Sequence, residues 1–148
     1  MIQIGKSIQV FSASQVEKWQ YPRRTLVIQI GDTDCFPVAP DGYVAKRGYV
    51  FADWTDKDEG SITENQAHDM LKFVRDHWDK VDDIYVHCHM GVSRSPGVCA
   101  ALTRIFLNTD DMMWWQNYTP NGVVYGTLLS VAMFMGWWAK RDHTELTT

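Results

Sequence analysis

A strand, a tight loop and the first turn of a helix follow one another in Val86-His87-Cys88-His89-Met90-Gly91-Val92-Ser93-Arg94-Ser95-Pro96. Residues 84–87 read as a buried strand. Pro96 suits the first turn of a helix, because its missing N–H costs nothing there. The loop contains a glycine, begins with a cysteine and ends with an arginine. We therefore predict that it turns several backbone N–H groups into one concavity at a helix N-terminus, which forms an anion site.

The residue types in this loop suit phosphoryl chemistry. A thiol at Cys88 would sit in a positive potential, which favours the thiolate, the nucleophilic form of cysteine. The planar guanidinium of Arg94 can hold two oxygens of a tetrahedral phosphate and stabilise the charge of a transferring phosphoryl group. Ser95 can donate a hydrogen bond to a departing thiolate, and His87 can orient the loop from the preceding strand.

Outward from this loop, strands alternate with helices, which indicates an α/β layered fold. The helix after residue 60 has two candidate capping boxes, Ser61 with Glu64 and Thr63 with Gln66, followed by an apolar stripe from Ala67 to Trp78. The other predicted elements are strands 8–11, 25–30, 49–51 and 84–87, a short helix at 12–19, a loop at 31–48, and helices at about 96–107, 110–116 and 123–140.

Length and charge exclude several classes of protein. The chain has 148 residues, which is one ordinary domain, and we predict a single domain over 1–148. Fourteen Lys and Arg stand against 18 Asp and Glu, a net charge of −4, so no nucleic-acid partner is expected. Aromatic residues make up 13% of the chain, which argues against intrinsic disorder.

The number of cysteines and the apolar segments indicate in which cellular compartment the protein is located. Three cysteines form no CxxC pair, and an odd, sparse count is typical of free thiols in a reducing compartment. Residues 1–10 lack the apolar stretch of a signal peptide. The longest apolar region, 123–138, is too short and too often interrupted to span a membrane. We predict a cytoplasmic protein without a membrane partner, and the sequence does not indicate its oligomeric state.

The central loop resembles the HC-x5-R-S/T signature of the cysteine-dependent protein tyrosine phosphatases, and it is most similar to the dual-specificity branch. The matching positions are His87, Cys88, Gly91, Ser93, Arg94 and Ser95. Met90 stands where that branch commonly has alanine, which is expected to change the pocket floor or the loop packing. Residues 119–129 look like the family's Pro-Asn segment, which opens its last helix. Residues 26–33 and 49–53 are similar to small bacterial and phage members, so the resemblance spans about residues 25 to 130.

The resemblance implies a phosphotyrosine protein phosphatase II-like fold, with a central mixed sheet of about four or five strands flanked by helices. It implies hydrolysis of phosphotyrosine, and in some members of phosphoserine and phosphothreonine, through a phosphocysteine intermediate. A phosphorylated protein or peptide is the expected partner. Cys88 is then the nucleophile, Arg94 and the loop bind phosphate, and Ser95 assists thiolate departure. The predicted substrate-binding residues are His89, Met90, Gly91, Val92, Ser93 and Arg94.

Such enzymes also need a general acid on a loop upstream of the cysteine. Asp53 directly follows a predicted strand in a Phe-x-Asp context, and Asp56 lies in a Trp-x-Asp context. Asp53 is favoured and Asp56 is the alternative. No metal or other cofactor is expected, because Arg94 and the loop dipoles supply the positive field and no His/Cys cluster completes a metal site.

Four alternatives remain. The substrate could be a phosphoinositide or an RNA 5′-phosphate, although the loop carries no lysine for a more anionic group. A rhodanese-like sulfurtransferase also uses a cysteine in an anion-binding loop, but His87, Ser95 and the Pro-Asn segment argue against it. A phosphopeptide-binding pseudophosphatase is the non-enzyme alternative. Turnover of p-nitrophenyl phosphate that depends on Cys88 would separate catalysis from binding.

Overall fold

The computed structural model describes residues 5–56 and 58–139, in which strands alternate with helices. The elements in chain order are β1 (Ser7–Ser12), a 3-10 turn (Ala13–Lys18), β2 (Thr25–Gly31), β3 (Ala45–Val50), α1 (Glu64–His77), a second 3-10 turn (Trp78–Lys80), β4 (Asp83–Cys88), α2 (Arg94–Leu102), a π-helical turn (Thr103–Leu107), α3 (Met112–Asn117) and α4 (Gly122–Phe134).

The four strands form one sheet in the order β1-β4-β2-β3. The α/β class and a sheet of four strands flanked by helices are confirmed. One detail of the prediction is wrong, because a mixed sheet was expected and all three strand pairs are parallel. The long connection between β2 and β3 carries the chain back to the starting end of the sheet, as a parallel pair requires.

In a parallel sheet, the segments that follow the strands all lie at the same edge of the sheet, the one formed by the carboxyl ends of the strands. Cys88 is the last residue of β4, one of the two inner strands of the sheet, and the other inner strand, β2, runs beside it. The segments that follow β2 and β3 therefore start at the same edge as the loop that begins at Cys88. This edge is where the topology can bring distant parts of the sequence together.

The two faces of the sheet pack against different material. On one face α1, α2 and α4 cover a large aliphatic core that includes Ile84, Val86 and Cys88. On the other face Trp19 and Tyr85 belong to a smaller cluster under the first 3-10 turn. Every residue of β4 is buried, as is typical of a parallel strand covered on both faces.

Helix α1 begins with the second of the two candidate capping boxes. The Thr63 hydroxyl accepts a hydrogen bond from the Gln66 backbone N–H at 3.0 Å, and the Gln66 side chain accepts from the Thr63 N–H at 3.0 Å. The Ser61 hydroxyl instead accepts from the backbone N–H of Asp58 at 2.9 Å. The two reciprocal bonds satisfy donors that the first helical turn leaves unpaired.

Strand β3 begins at Ala45, within the segment predicted as loop, and ends at Val50 rather than Phe51. Its exposed Lys46 and Arg47 do not look like a buried strand, but charges are common on an edge strand because they discourage pairing with other chains. Gly48 leaves room for the Phe36 ring, which would lie 2.3 Å from a Cβ at that position. The glycine therefore marks close packing inside the strand rather than a turn.

Of the last two long helices, the first reaches its predicted end at Leu107 through a change of helix type, and the second ends earlier than predicted. The α-helical part of α2 stops at Leu102 and continues as a π-helical turn, in which the Thr103 hydroxyl donates to the Cys99 carbonyl at 2.7 Å. Helix α4 stops at Phe134, and the predicted end at residue 140 lies outside the described residues.

The end of α4 is a glycine cap. Gly136 has φ +73°, its N–H donates to the Met133 carbonyl, and the Trp137 N–H donates to the Ala132 carbonyl. This pair of bonds is a Schellman motif. No helix in residues 5–56 and 58–139 has the length and apolar character to cross a membrane.

Candidate active site

Cys88 lies at the bottom of a concave loop, residues 88–94, called the cysteine loop below. Its Sγ is 3.0 Å from the Ser95 hydroxyl and accepts a hydrogen bond from the backbone N–H of Gly91 at 3.3 Å. Both Cys88 and Ser95 are buried. Helix α2 begins at Arg94, so the positive end of its dipole meets the same loop. The Cys88 sulfur therefore lies beside a backbone N–H, a hydroxyl and the positive end of a helix.

The shape of the cysteine loop depends on Gly91. This residue has φ +71°, and a Cβ there would lie 2.9 Å from the Phe11 carbonyl carbon and oxygen. The backbone N–H of Ala13 also donates to the His89 carbonyl at 3.0 Å. The end of β1 thus holds the loop from below, and only glycine fits both the conformation and the close approach.

The Arg94 guanidinium is buried at the edge of the sheet. Its Nη1 donates to the Asp32 carboxylate at 2.8 Å and to the Phe51 carbonyl at 2.8 Å. Asp32 directly follows β2 and Phe51 directly follows β3. Neither contact was predicted from the sequence. The available signal for Asp32 was a carboxylate directly after a buried strand, in a segment that was treated only as loop.

The structure brings Asp53 to the cysteine loop. Its Oδ1 accepts hydrogen bonds from the Ser93 hydroxyl at 2.7 Å and from the Asn121 side-chain amide at 2.7 Å. The contact that involves Asp56 is made by its main-chain carbonyl, which accepts from the Ser61 hydroxyl at 3.3 Å. Of the two candidate acids, Asp53 is therefore the one that is bonded to the loop.

Residues 52–56 and 58–60, called the Asp53 loop below, lie at the surface, and the two ends of this segment meet. The Ala52 N–H donates to the Gly60 carbonyl at 2.7 Å, which joins the two ends. The Trp54 ring covers Gly60, since its Nε1 would lie 2.6 Å from a Cβ there. Asn121 also donates to the Trp54 carbonyl at 2.9 Å. These contacts place Trp54 at the neck of the loop.

The Pro-Asn segment lies directly under the cysteine loop. Thr119 N–H donates to the Val92 carbonyl at 3.1 Å, and Asn121 N–H donates to the Ser93 carbonyl at 2.9 Å. The Asn121 side-chain oxygen also caps α4 by accepting from the N–H groups of Val123 and Val124. Asn121 therefore joins the cysteine loop, the Asp53 loop and the start of α4. Asn121 was predicted as part of the Pro-Asn segment but not as a site residue.

The side chains of the predicted substrate-binding residues are mostly turned outward. His89, Met90 and Val92 are exposed, Met90 by 68% and Val92 by 46%, while Gly91 is buried. Met90 was expected to change the pocket floor or the loop packing. The first expectation is wrong, because the Met90 side chain is exposed and does not form the floor. Trp54 of the Asp53 loop is 52% exposed, so the cysteine loop and the Asp53 loop each carry exposed apolar side chains.

His87 faces away from Cys88, into the aromatic cluster on the other side of the sheet. Its ring lies 5.9 Å from the Trp19 ring, and its Nδ1 is 3.5 Å from the Cys88 carbonyl. Burial lowers the pKa of His87 to about 4, so its ring is neutral near pH 7. In the described part of the chain, no three His, Cys, Asp or Glu side chains form a group suited to a metal ion.

No protein-family model and no curated protein sequence matches the chain. Solved structures do. Human DUSP28 is 17% identical with a TM-score of 0.62, covering 92% of this chain and 98% of its own. Human tyrosine phosphatase-like serine/threonine/tyrosine-interacting protein is 14% identical with a TM-score of 0.63, covering 86% of this chain and 92% of its own. PTPMT1, solved in complex with PI(5)P, is 15% identical with a TM-score of 0.62, covering 91% and 96%.

These similarities cover nearly the whole length of each of the three solved structures. At such low sequence identities, they show similarity of fold. The resemblance drawn from the sequence is confirmed at that level. This chain has the fold of the cysteine-dependent, dual-specificity-type phosphatases.

Proposed function

We propose that this protein is a phosphatase that hydrolyses phosphomonoesters through a phosphocysteine intermediate. One observation carries the proposal. The Cys88 sulfur accepts from the Gly91 N–H, lies 3.0 Å from the Ser95 hydroxyl, and sits at the start of a helix whose first residue is the buried Arg94. A thiolate in such a setting is a nucleophile next to a site for a tetrahedral anion.

In the first step, the Cys88 thiolate attacks phosphorus and the bond to the leaving oxygen breaks. Arg94 and the backbone N–H groups of the cysteine loop hold the other phosphoryl oxygens and stabilise their charge. Asp53, protonated at this stage, gives its proton to the leaving oxygen. Its bonds to Ser93 and Asn121, which hold it beside the cysteine loop, support this role.

In the second step, a water molecule attacks the phosphorus of the phosphocysteine. The Asp53 carboxylate takes the proton of this water, and the sulfur–phosphorus bond breaks to release inorganic phosphate. The Ser95 hydroxyl donates a hydrogen bond to the departing thiolate, with which it is already in contact. All atoms and charges come from the substrate, one water and the residues of the site.

We propose phosphotyrosine in a protein or peptide as the substrate, with phosphoserine and phosphothreonine as further substrates. The exposed apolar side chains on the two loops, Trp54, Met90 and Val92, support a substrate whose phosphate is carried by an aromatic ring. PTPMT1, one of the similar structures, was solved with PI(5)P, so a phosphoinositide is the competing substrate. The cysteine loop offers no lysine to a second phosphate of such a headgroup.

We further propose that residues 1–148 act as a single domain in the cytoplasm, where a free thiol stays reduced.

The decisive experiment measures release of phosphate from p-nitrophenyl phosphate by the wild type and by Cys88→Ser. We expect turnover by the wild type and loss of at least about 10³-fold in the variant, because the serine hydroxyl is a far weaker nucleophile. Cys35→Ser is the matched control, since Cys35 is an exposed free thiol outside the site, and it should retain full activity.

A second measurement compares a phosphotyrosine peptide, a phosphoserine peptide and PI(5)P at equal concentration. A larger kcat/KM for the phosphotyrosine peptide supports the proposed substrate, and a larger value for PI(5)P replaces it with the lipid. Binding of the phosphotyrosine peptide without phosphate release would make the protein a phosphopeptide-binding module instead.

A further inference from the structure

The Arg94 guanidinium is held at one end by two acceptors from two different strand ends. Both bonds are made by Nη1, one to the Asp32 carboxylate at 2.8 Å and one to the Phe51 carbonyl at 2.8 Å. A guanidinium Nη carries two hydrogens, so each has its own acceptor. The plane of the guanidinium is thereby fixed from the side of the sheet.

This arrangement leaves the other edge of the guanidinium for an anion. Nε and Nη2 carry parallel N–H bonds, which form the fork that matches two oxygens of a phosphate. With a single acceptor on Nη1 the plane could turn about that bond. The second acceptor, Asp32, removes this freedom.

The exposure of the two partners differs sharply. The Arg94 side chain is 6% exposed, whereas the Asp32 side chain is 72% exposed. Arg94 is the one bonding partner of the Asp32 carboxylate within residues 5–56 and 58–139. A carboxylate this exposed adds little to folding stability through an ion pair. The contact is therefore better explained by what it does to Arg94.

We propose that Asp32 is a positioning residue of the site. It holds Nη1 of Arg94 together with the Phe51 carbonyl, so that Nε and Nη2 face the anion bound by the cysteine loop. The inference rests on the proposed function in that the anion is taken to be a phosphoryl group. Its opposite is a carboxylate that merely competes with the anion for Arg94, and the two ideas predict changes of opposite sign.

The test uses Asp32→Ala, Asp32→Asn and the matched control Asp34→Ala, which removes another exposed carboxylate from the same segment. The dissociation constant of inorganic phosphate is measured by titration calorimetry, and kcat and KM are measured with p-nitrophenyl phosphate. Asp32→Ala should weaken phosphate binding about 10-fold and lower kcat/KM about 10- to 100-fold, because the fork is no longer fixed. Asp32→Asn retains an oxygen that accepts from Nη1 and should stay within about 3-fold of the wild type.

Several outcomes would overturn the proposal. Phosphate binding that is unchanged or tighter in Asp32→Ala would leave no positioning role. A lower melting temperature in Asp32→Ala, matched by Asp32→Asn and absent in Asp34→Ala, would make the contact structural. Failure of the proposed function gives a different result: no wild-type turnover of p-nitrophenyl phosphate, while phosphate binding still weakens in Asp32→Ala and recovers in Asp32→Asn. That result supports this inference alone.

Discussion

The cysteine loop and the Asp53 loop lie side by side but are built in opposite ways. The cysteine loop runs from a fully buried strand into a buried helix, and its main chain is bonded to the end of β1 and to the Pro-Asn segment. The Asp53 loop is exposed and is closed mainly at its neck, by Ala52 with Gly60 and by Trp54 packed on Gly60. The proposed nucleophile thus sits in a buried part of the backbone with many bonds, and the proposed acid sits on an exposed loop.

Two side chains connect these regions. Ser93 and Asn121 both donate to Oδ1 of Asp53, and Asn121 also donates to the Trp54 carbonyl. The position of the Asp53 side chain is therefore set by bonds to the cysteine loop and to Asn121, in addition to the Asp53 loop itself. Changes to the buried strand should reduce stability, changes to the acid should reduce turnover, and changes to the connection should reduce turnover alone.

The largest expected effect is acid sensitivity of the buried strand, through His87. Its pKa is about 4 in the folded protein because burial disfavours the charged ring, against an ordinary value of 6.5. Between pH 6.5 and 4 the unfolded chain binds the proton more readily. The free energy of unfolding should be fully present above pH 6.5 and fall by about 3 kcal/mol as the pH drops to 4. Urea unfolding across this range measures it.

His87→Gln provides the comparison, because this variant cannot titrate at that position. Its starting stability can be lower, but its decline between pH 6.5 and 4 should be smaller than that of the wild type. His89→Gln, at an exposed position two residues away, should keep the wild-type slope. Equal slopes in His87→Gln and the wild type would mean that burial of this ring is not what makes the strand sensitive to acid.

The next effect concerns the proposed acid itself. Asp53→Asn should lower kcat for a phosphotyrosine peptide about 10²-fold, because the leaving phenolate then departs without a proton. With p-nitrophenyl phosphate, whose leaving group needs less help, the loss should be smaller. Asp56→Asn is the matched control and should remain near the wild type. A crippled Asp56→Asn beside a nearly normal Asp53→Asn would transfer the role of acid to Asp56.

The smallest effect tests the connection between the two regions. Asn121→Ser keeps a good N-cap for α4 but is too short to bridge to Asp53 and Trp54. We expect an unchanged melting temperature and a kcat about 10-fold lower, because the acid is less well placed. Asn121→Ala should lose about 1 kcal/mol of stability in addition, since the cap is gone. If Asn121→Ser has full activity, the Asp53 loop holds its own position.

The cysteine loop was predictable from the sequence because its parts are contiguous. A strand, a glycine loop and a helix start are local patterns, and the structure has β4, a loop with Gly91 at positive φ and the start of α2 in this order. The preference for Asp53 over Asp56 rested on its place directly after a strand, and the structure bonds Asp53 to Ser93. Its chemical role stays a prediction.

The missed features depend on the order and direction of the strands. Asp32 meets Arg94 because β2 lies next to β4 and runs parallel to it, and no local pattern reveals that pairing. The start of β3 was missed because an edge strand tolerates charges and a glycine. The end of α4 was foreseeable, since Gly136 after a helical pattern is a stop signal. It was overlooked because apolar residues continue beyond it.

One bond to a main-chain atom has a wider consequence. Because Arg94 donates to the carbonyl of Phe51, part of the anion site belongs to the peptide backbone after the outermost strand. No substitution at Phe51 removes that oxygen, so this half of the anchoring is invisible to side-chain mutagenesis. If residues 87–96 were transferred into another scaffold, Arg94 would lose this carbonyl acceptor and its guanidinium would be free to rotate. Copying the sequence of this motif into another protein would therefore not by itself reproduce the anion site.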